Sequence, residues 1–145
     1  MKNTIKRTIC ILVIATISLV TTLSVNAGYL VASNQVKSFN TGYGSATAQL
    51  LCYSYPEWGN DKNLYVDTTV STNVPRVVCT GTVVDYYSGA RIASSSGEAS
   101  PNYSGLCYPV SFNKSNCTIT GFGAHEVRGY SAWGVNTAIY GVYMA

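Results

Sequence analysis

From residue 46 onward, apolar and polar side chains alternate with a period of two, the mark of strands that bury one face. Ala46, Ala48, Leu50 and Cys52 share one side of a strand, against Thr47, Gln49, Leu51 and Tyr53. Leu64, Val66, Thr68 and Val70 form a second inward face, with Asn63, Tyr65, Asp67 and Thr69 outward. Between them, residues 55–61 carry Pro56, Gly59, Asn60 and Asp61 and read as a loop. Residues 77–87 and 90–95 form a hairpin about Ser88-Gly89, pairing Tyr86 with Arg91 and Val84 with Ala93. Residues 97–105 read as a loop with Pro101-Asn102 near its tip. Leu106, Tyr108, Val110 and Phe112 alternate again, and residues 113–116 turn the chain toward Cys117, Ile119 and Phe122. A last hairpin about Gly134-Val135 sets Val127 opposite Val142 and Gly129 opposite Tyr140, leaving Glu126 and Arg128 on the outer face.

About seven short strands separated by turns predict an all-β fold, specifically a small antiparallel β-sandwich. A small closed β-barrel is the alternative. Phe112, Phe122 and Tyr140 are the aromatic core candidates. No stretch beyond residue 27 has the apolar spacing of a helix, and no internal repeat or second domain is visible.

The first 27 residues follow a different pattern. Lys2, Lys6 and Arg7 precede an uncharged apolar run from Ile9 to Leu23, and Val25 and Ala27 supply small residues at the positions a signal peptidase reads. This is a secretory signal peptide of bacterial style, cleaved after Ala27 and leaving 28–145 as one secreted domain. The run is too short to cross a bilayer comfortably, so no stable membrane insertion is expected.

Export gives meaning to the cysteines. Cys52, Cys79, Cys107 and Cys117 remain after cleavage, and an even number in an exported chain reads as two disulfide staples. Pairing between neighbouring strands predicts Cys52–Cys79 and Cys107–Cys117. Metal binding is disfavoured, with no Cys-x-x-Cys pair and one histidine, His125. The chain shows no cofactor motif.

Charge narrows the partners. The formal +3 of the whole chain belongs to the leader, because the six basic and six acidic residues of 28–145 cancel and are scattered. Nucleic acid, which needs clustered Lys and Arg, is therefore not an expected partner.

Candidate chemistry is sparse. His125-Glu126 points to opposite faces of a strand, and no nucleophile-elbow motif accompanies the histidine. Glu57 and Asp61 share one loop and read as a solvated turn. The aromatics say more: Tyr53, Tyr55 and Trp58 cluster around Pro56 and Gly59, where large rings are hard to bury. Exposed tyrosine and tryptophan among Ser, Asn and Gly suit recognition surfaces. These three residues are the sequence candidates for ligand binding. The expected function is a secreted, non-enzymatic binding module for a glycan, cell-wall polymer or protein. A bacteriocin-like antagonist or small toxin is the alternative, and a small hydrolase comes after it.

Overall fold

The computed structural model describes residues 29–54 and 62–145. Nine strands account for most of them: β1 (Tyr29–Ser33), β2 (Lys37–Thr41), β3 (Gly44–Ser54), β4 (Lys62–Val74), β5 (Arg76–Asp85), β6 (Arg91–Ala99), β7 (Tyr103–Phe112), β8 (Cys117–Arg128) and β9 (Ala132–Met144). They form two antiparallel sheets. Sheet 1 has the order β1-β3-β4-β7, with β2 also paired to β3, and sheet 2 has the order β6-β5-β8-β9. The sheets pack face to face, β3 and β4 against β8, and β7 against β5 and β6. The architecture is an open two-sheet sandwich, not a closed barrel.

The alternation read from β3 and β4 holds: Ala46, Ala48, Leu50, Cys52, Leu64, Val66, Thr68 and Val70 are all buried. From sheet 2, Val77, Cys79, Val83, Ile119, Val127, Ile139, Val142 and Met144 meet them. Glycines on the inner face of sheet 2 make this fit close. A Cβ on Gly121 would lie 2.8 Å from a Leu64 methyl, and one on Gly81 would lie 2.9 Å from a Val66 methyl. Large side chains of sheet 1 thus sink into hollows that only glycine leaves open.

These glycines also explain two corrections. Gly121 and Gly123 occupy inward positions of β8, so Phe122 between them faces out and is 41% exposed. Tyr140, the other expected core ring, is 68% exposed. A bulge lies between the Ile119↔Val142 and Gly121↔Ile139 pairs, with Gly141 at φ 65°. The extra residue reverses the parity of β9, so Ile139 and Val142 both point in while Tyr140 points out.

The hairpins are also shifted. The β8–β9 turn is Gly129-Tyr130-Ser131, not Gly134-Val135, and Val127 pairs with Trp133 rather than Val142. In the β5–β6 hairpin Val84 pairs with Arg91, and Val83 with Ala93. The expected 97–105 loop is mostly strand, with a turn confined to residues 100–102.

The structure does not show the expected disulfides, Cys52–Cys79 and Cys107–Cys117: all four cysteines are free thiols in it. The β4–β5 turn carries the chain from one sheet to the other, so neighbours in sequence are not neighbours in a ladder. Cys52 lies inward near one end of sheet 1, with its Sγ 3.8 Å from Met144 Sδ. Cys79 lies inward toward the other end of sheet 2, beside Thr68 Oγ1 at 3.1 Å. Cys107 is exposed on the outer side of sheet 1, whereas Cys117 is buried on β8. Burial pushes the Cys52 thiol up to about 12 and that of Cys79 up to about 11.

Candidate binding cleft

Antiparallel strands send alternate turns to the same end of a sandwich. The β2–β3, β4–β5, β6–β7 and β8–β9 turns therefore meet at one end, and together they build an open cleft of about 690 Å³. Its lining is Tyr43, Pro75, Arg76, Ser100, Pro101, Arg128, Gly129 and Tyr130. The size falls within the range of about 300–1,000 Å³ usual for small-molecule sites.

Tyr43 is the fixed wall. Its amide donates to Thr41 Oγ1 at 3.0 Å, and its carbonyl accepts from Thr72 Oγ1 at 2.6 Å. Its ring meets Trp133 edge-on, 5.7 Å between centroids and 84° between planes. Two glycines allow this contact: a Cβ on Gly42 would collide with the Trp133 ring, and one on Gly129 with the Tyr43 hydroxyl. Tyr130, also in the lining, is fully exposed at the tip of its turn.

The charge in the cleft comes from Arg76 and Arg128, which face each other in register across β5 and β8. Like charges at directly opposed positions repel. Each arginine has an acidic neighbour outside the cleft lining. Arg128 Nε and Nη2 lie 2.7 and 2.6 Å from Glu126 Oε2. Arg76 has a looser contact, Nη1 to Glu98 Oε2 at 3.7 Å. Both pairs are about half exposed, so each contributes no more than about 1 kcal/mol. No carboxylate lines the cleft among the described residues.

His125 lies away from solvent in the sandwich core, fully buried. Its Nδ1 is 2.9 Å from Thr68 Oγ1 of the facing sheet, and its Nε2 is 2.8 Å from Thr137 Oγ1. Burial lowers its pKa to about 4, against a smaller upward pull from the Asp67 backbone, and Lys37 lowers it further. The ring is a neutral bridge between the sheets, more deeply placed than its sequence position suggested.

Of the sequence candidates, only Tyr53 falls among the described residues, and it lies at the other end. Tyr53, near the end of β3, sits on the outer face of sheet 1 with its ring edge-on to Tyr65 at 5.5 Å. Tyr55 and Trp58, with Glu57 and Asp61, lie outside the described residues. That end is tied together by Asp85, which accepts from the amides of Tyr87 and Ser88, the Ser88 hydroxyl and Lys114 Nζ. The Ser88 amide and then Lys114 hold the Asp85 carboxyl well below the usual carboxylate range.

The cleft arginines and Tyr43 had no motif to announce them. Their one legible signal was the parity of the turns. Among the described residues no three His, Cys, Asp or Glu side chains gather to hold a metal ion, and no helix is long and apolar enough to cross a membrane. No protein-family model matches the chain, and a search of curated proteins finds no relative.

Proposed function

We propose that the protein is a secreted, non-enzymatic binding module that meets a glycan, cell-wall polymer or protein surface through the four-turn cleft. The observation that carries this reading is the cleft itself: an open site whose aromatic wall is locked in place and whose polar groups are hydrogen-bond donors. Loops on a rigid β scaffold are a common seat of recognition. A preset wall lowers the ordering cost of binding. The one histidine, sealed in the core with both ring nitrogens bonded, offers no general base to a ligand in the cleft.

The test is retention of the purified protein on cell-wall polysaccharide, isolated glycans and intact cells. Tyr43→Ala should abolish saturable retention while the far-ultraviolet circular dichroism is unchanged. Full retention by a folded Tyr43→Ala protein would remove the cleft from this role. Export follows from the leader pattern of residues 1–27, and N-terminal sequencing of protein from the medium should begin at Gly28.

A further inference from the structure

We infer that the ligand of the cleft is a carboxylated sugar, its carboxylate held between Arg76 and Arg128 and its ring covered by Tyr43 and Tyr130. This rests on the reading of the cleft as a binding site and adds the chemistry of what it takes.

Three observations converge on it. First, the cleft holds two guanidiniums and no acid among its described lining residues. Arg128 spends Nε and Nη2 on Glu126, whereas the Arg76 guanidinium makes no hydrogen bond among the described residues and has only the loose contact with Glu98. Arg76 therefore keeps its planar fork of N–H donors, the group that matches a carboxylate in two-point geometry. Second, Arg76 and Arg128 stand directly opposite one another across β5 and β8, and each has only a half-exposed ion pair with a glutamate outside the cleft lining. An anion between two opposed guanidiniums lowers their mutual repulsion, so the cleft favours negative charge.

Third, the remaining lining selects the body of the ligand. Pro75 and Pro101 stand at two of the four turns and have no N–H to offer. An extended peptide, which gains affinity by main-chain pairing, finds no donors from them. Tyr43 and Tyr130 present rings instead. Flat aromatic faces pack against the C–H faces of a sugar, while their hydroxyls reach its polar rim.

Calorimetric titration tests the inference on purified full-length protein, using oligosaccharides that contain glucuronate, galacturonate or sialate. Each is compared with its methyl ester. At least one acid should bind saturably and its ester about tenfold or more weaker. Arg76→Gln, at the exposed start of β5, should weaken the acid about tenfold and erase the difference between acid and ester. Equal affinity for acid and ester, or an Arg76→Gln protein that still prefers the acid, would overturn the inference. So would a stronger response to short peptides with a free terminal carboxylate. If no acid sugar binds while the protein is still retained on neutral glycans or cells through Tyr43, the charge assignment fails and the binding reading survives. If nothing is retained at all, both fall.

Discussion

The two ends of this sandwich solve the same problem in opposite ways. At the far end, the turn after β5 and the turn after β7 are joined by Asp85, which collects three donors from Tyr87 and Ser88 and a fourth from Lys114. Buried Lys62 reaches Ser115 Oγ at 3.0 Å, and Tyr143 Oη reaches Asn116 Oδ1 at 3.2 Å. Polar groups there are spent on one another. At the cleft end the turns are held by ring packing, by the Thr41 and Thr72 hydroxyls on the Tyr43 backbone and by backbone bonds such as Asn102 N to Val74 O at 3.1 Å, while the Arg76 guanidinium makes no hydrogen bond among the described residues. A turn tied by its own side chains stabilises the fold. A turn tied by its backbone leaves its side chains for a partner.

The sharpest way to stress both ends together is through the centre they share. His125 has its pKa lowered from 6.5 to about 4, so the unfolded chain takes up the proton first. Its contribution is complete above pH 6.5 and is lost as the pH falls toward 4, by about 3 kcal/mol in total. Thermal melts across that window should show the fall in the native protein. They should be flatter in His125→Gln, and an equal slope in the two would break the assignment.

A smaller effect separates the ends. Gly129→Ala drives a methyl group into the Tyr43 hydroxyl and so unseats the ring from Trp133. Loss of one such aromatic contact, about 0.5–1.5 kcal/mol, should lower the melting temperature by only a few degrees, while the misplaced wall should weaken cleft binding about tenfold. A large thermal shift with unchanged binding would reverse the comparison. Asp85→Asn is the mirror experiment and should be milder. The carboxyl is held low in the folded chain, so its contribution is present above the ordinary carboxylate range and lost as the pH drops below it. The variant should melt earlier at neutral pH, lose part of the acid dependence below about pH 4 and keep full affinity for the cleft ligand. The smallest effect is expected from Trp58→Ala. It should leave cleft binding untouched, and lost retention in a folded variant would move recognition from the cleft to Trp58.

What was legible in the chain was whatever declared itself by volume. Ala46 to Cys52 and Leu64 to Val70 each fill every inward position with an apolar or small side chain, and their faces were readable at once. Sheet 2 was harder because Gly81, Gly121 and Gly123 take core positions without registering as hydrophobic. Phe122 was then assigned inward in their place. The β8–β9 register failed for a related reason. Two different turns both put Glu126 and Arg128 outside, so that check could not choose between them, and Gly141 concealed a change of parity. The expected disulfides do not appear in the structure, because an even cysteine count describes a habit of exported chains, not a distance between two sulfurs. As for the site, the sequence drew attention to Tyr53, Tyr55 and Trp58 by their crowding. Arg76 and Arg128 come from positions 52 residues apart, and only the ladder brings them opposite one another.

The split edge of sheet 1 has a consequence for crowded solutions. β1 pairs with the end of β3, β2 pairs with its beginning, and each is five residues long. At the break, Asn34 imitates a strand. Its amide donates to Leu50 O at 3.1 Å, and its side-chain Oδ1 accepts from Leu50 N at 3.0 Å. The long strand β3 is thereby covered without creating a long edge beyond it. A strand arriving from another molecule meets two short, offset steps in place of one continuous rail. On the other side of the sheet the edge is β7, where Pro109 removes a donor from mid-strand. Neither border of sheet 1 offers a continuous template for stacking copies of a chain rich in tyrosine and valine.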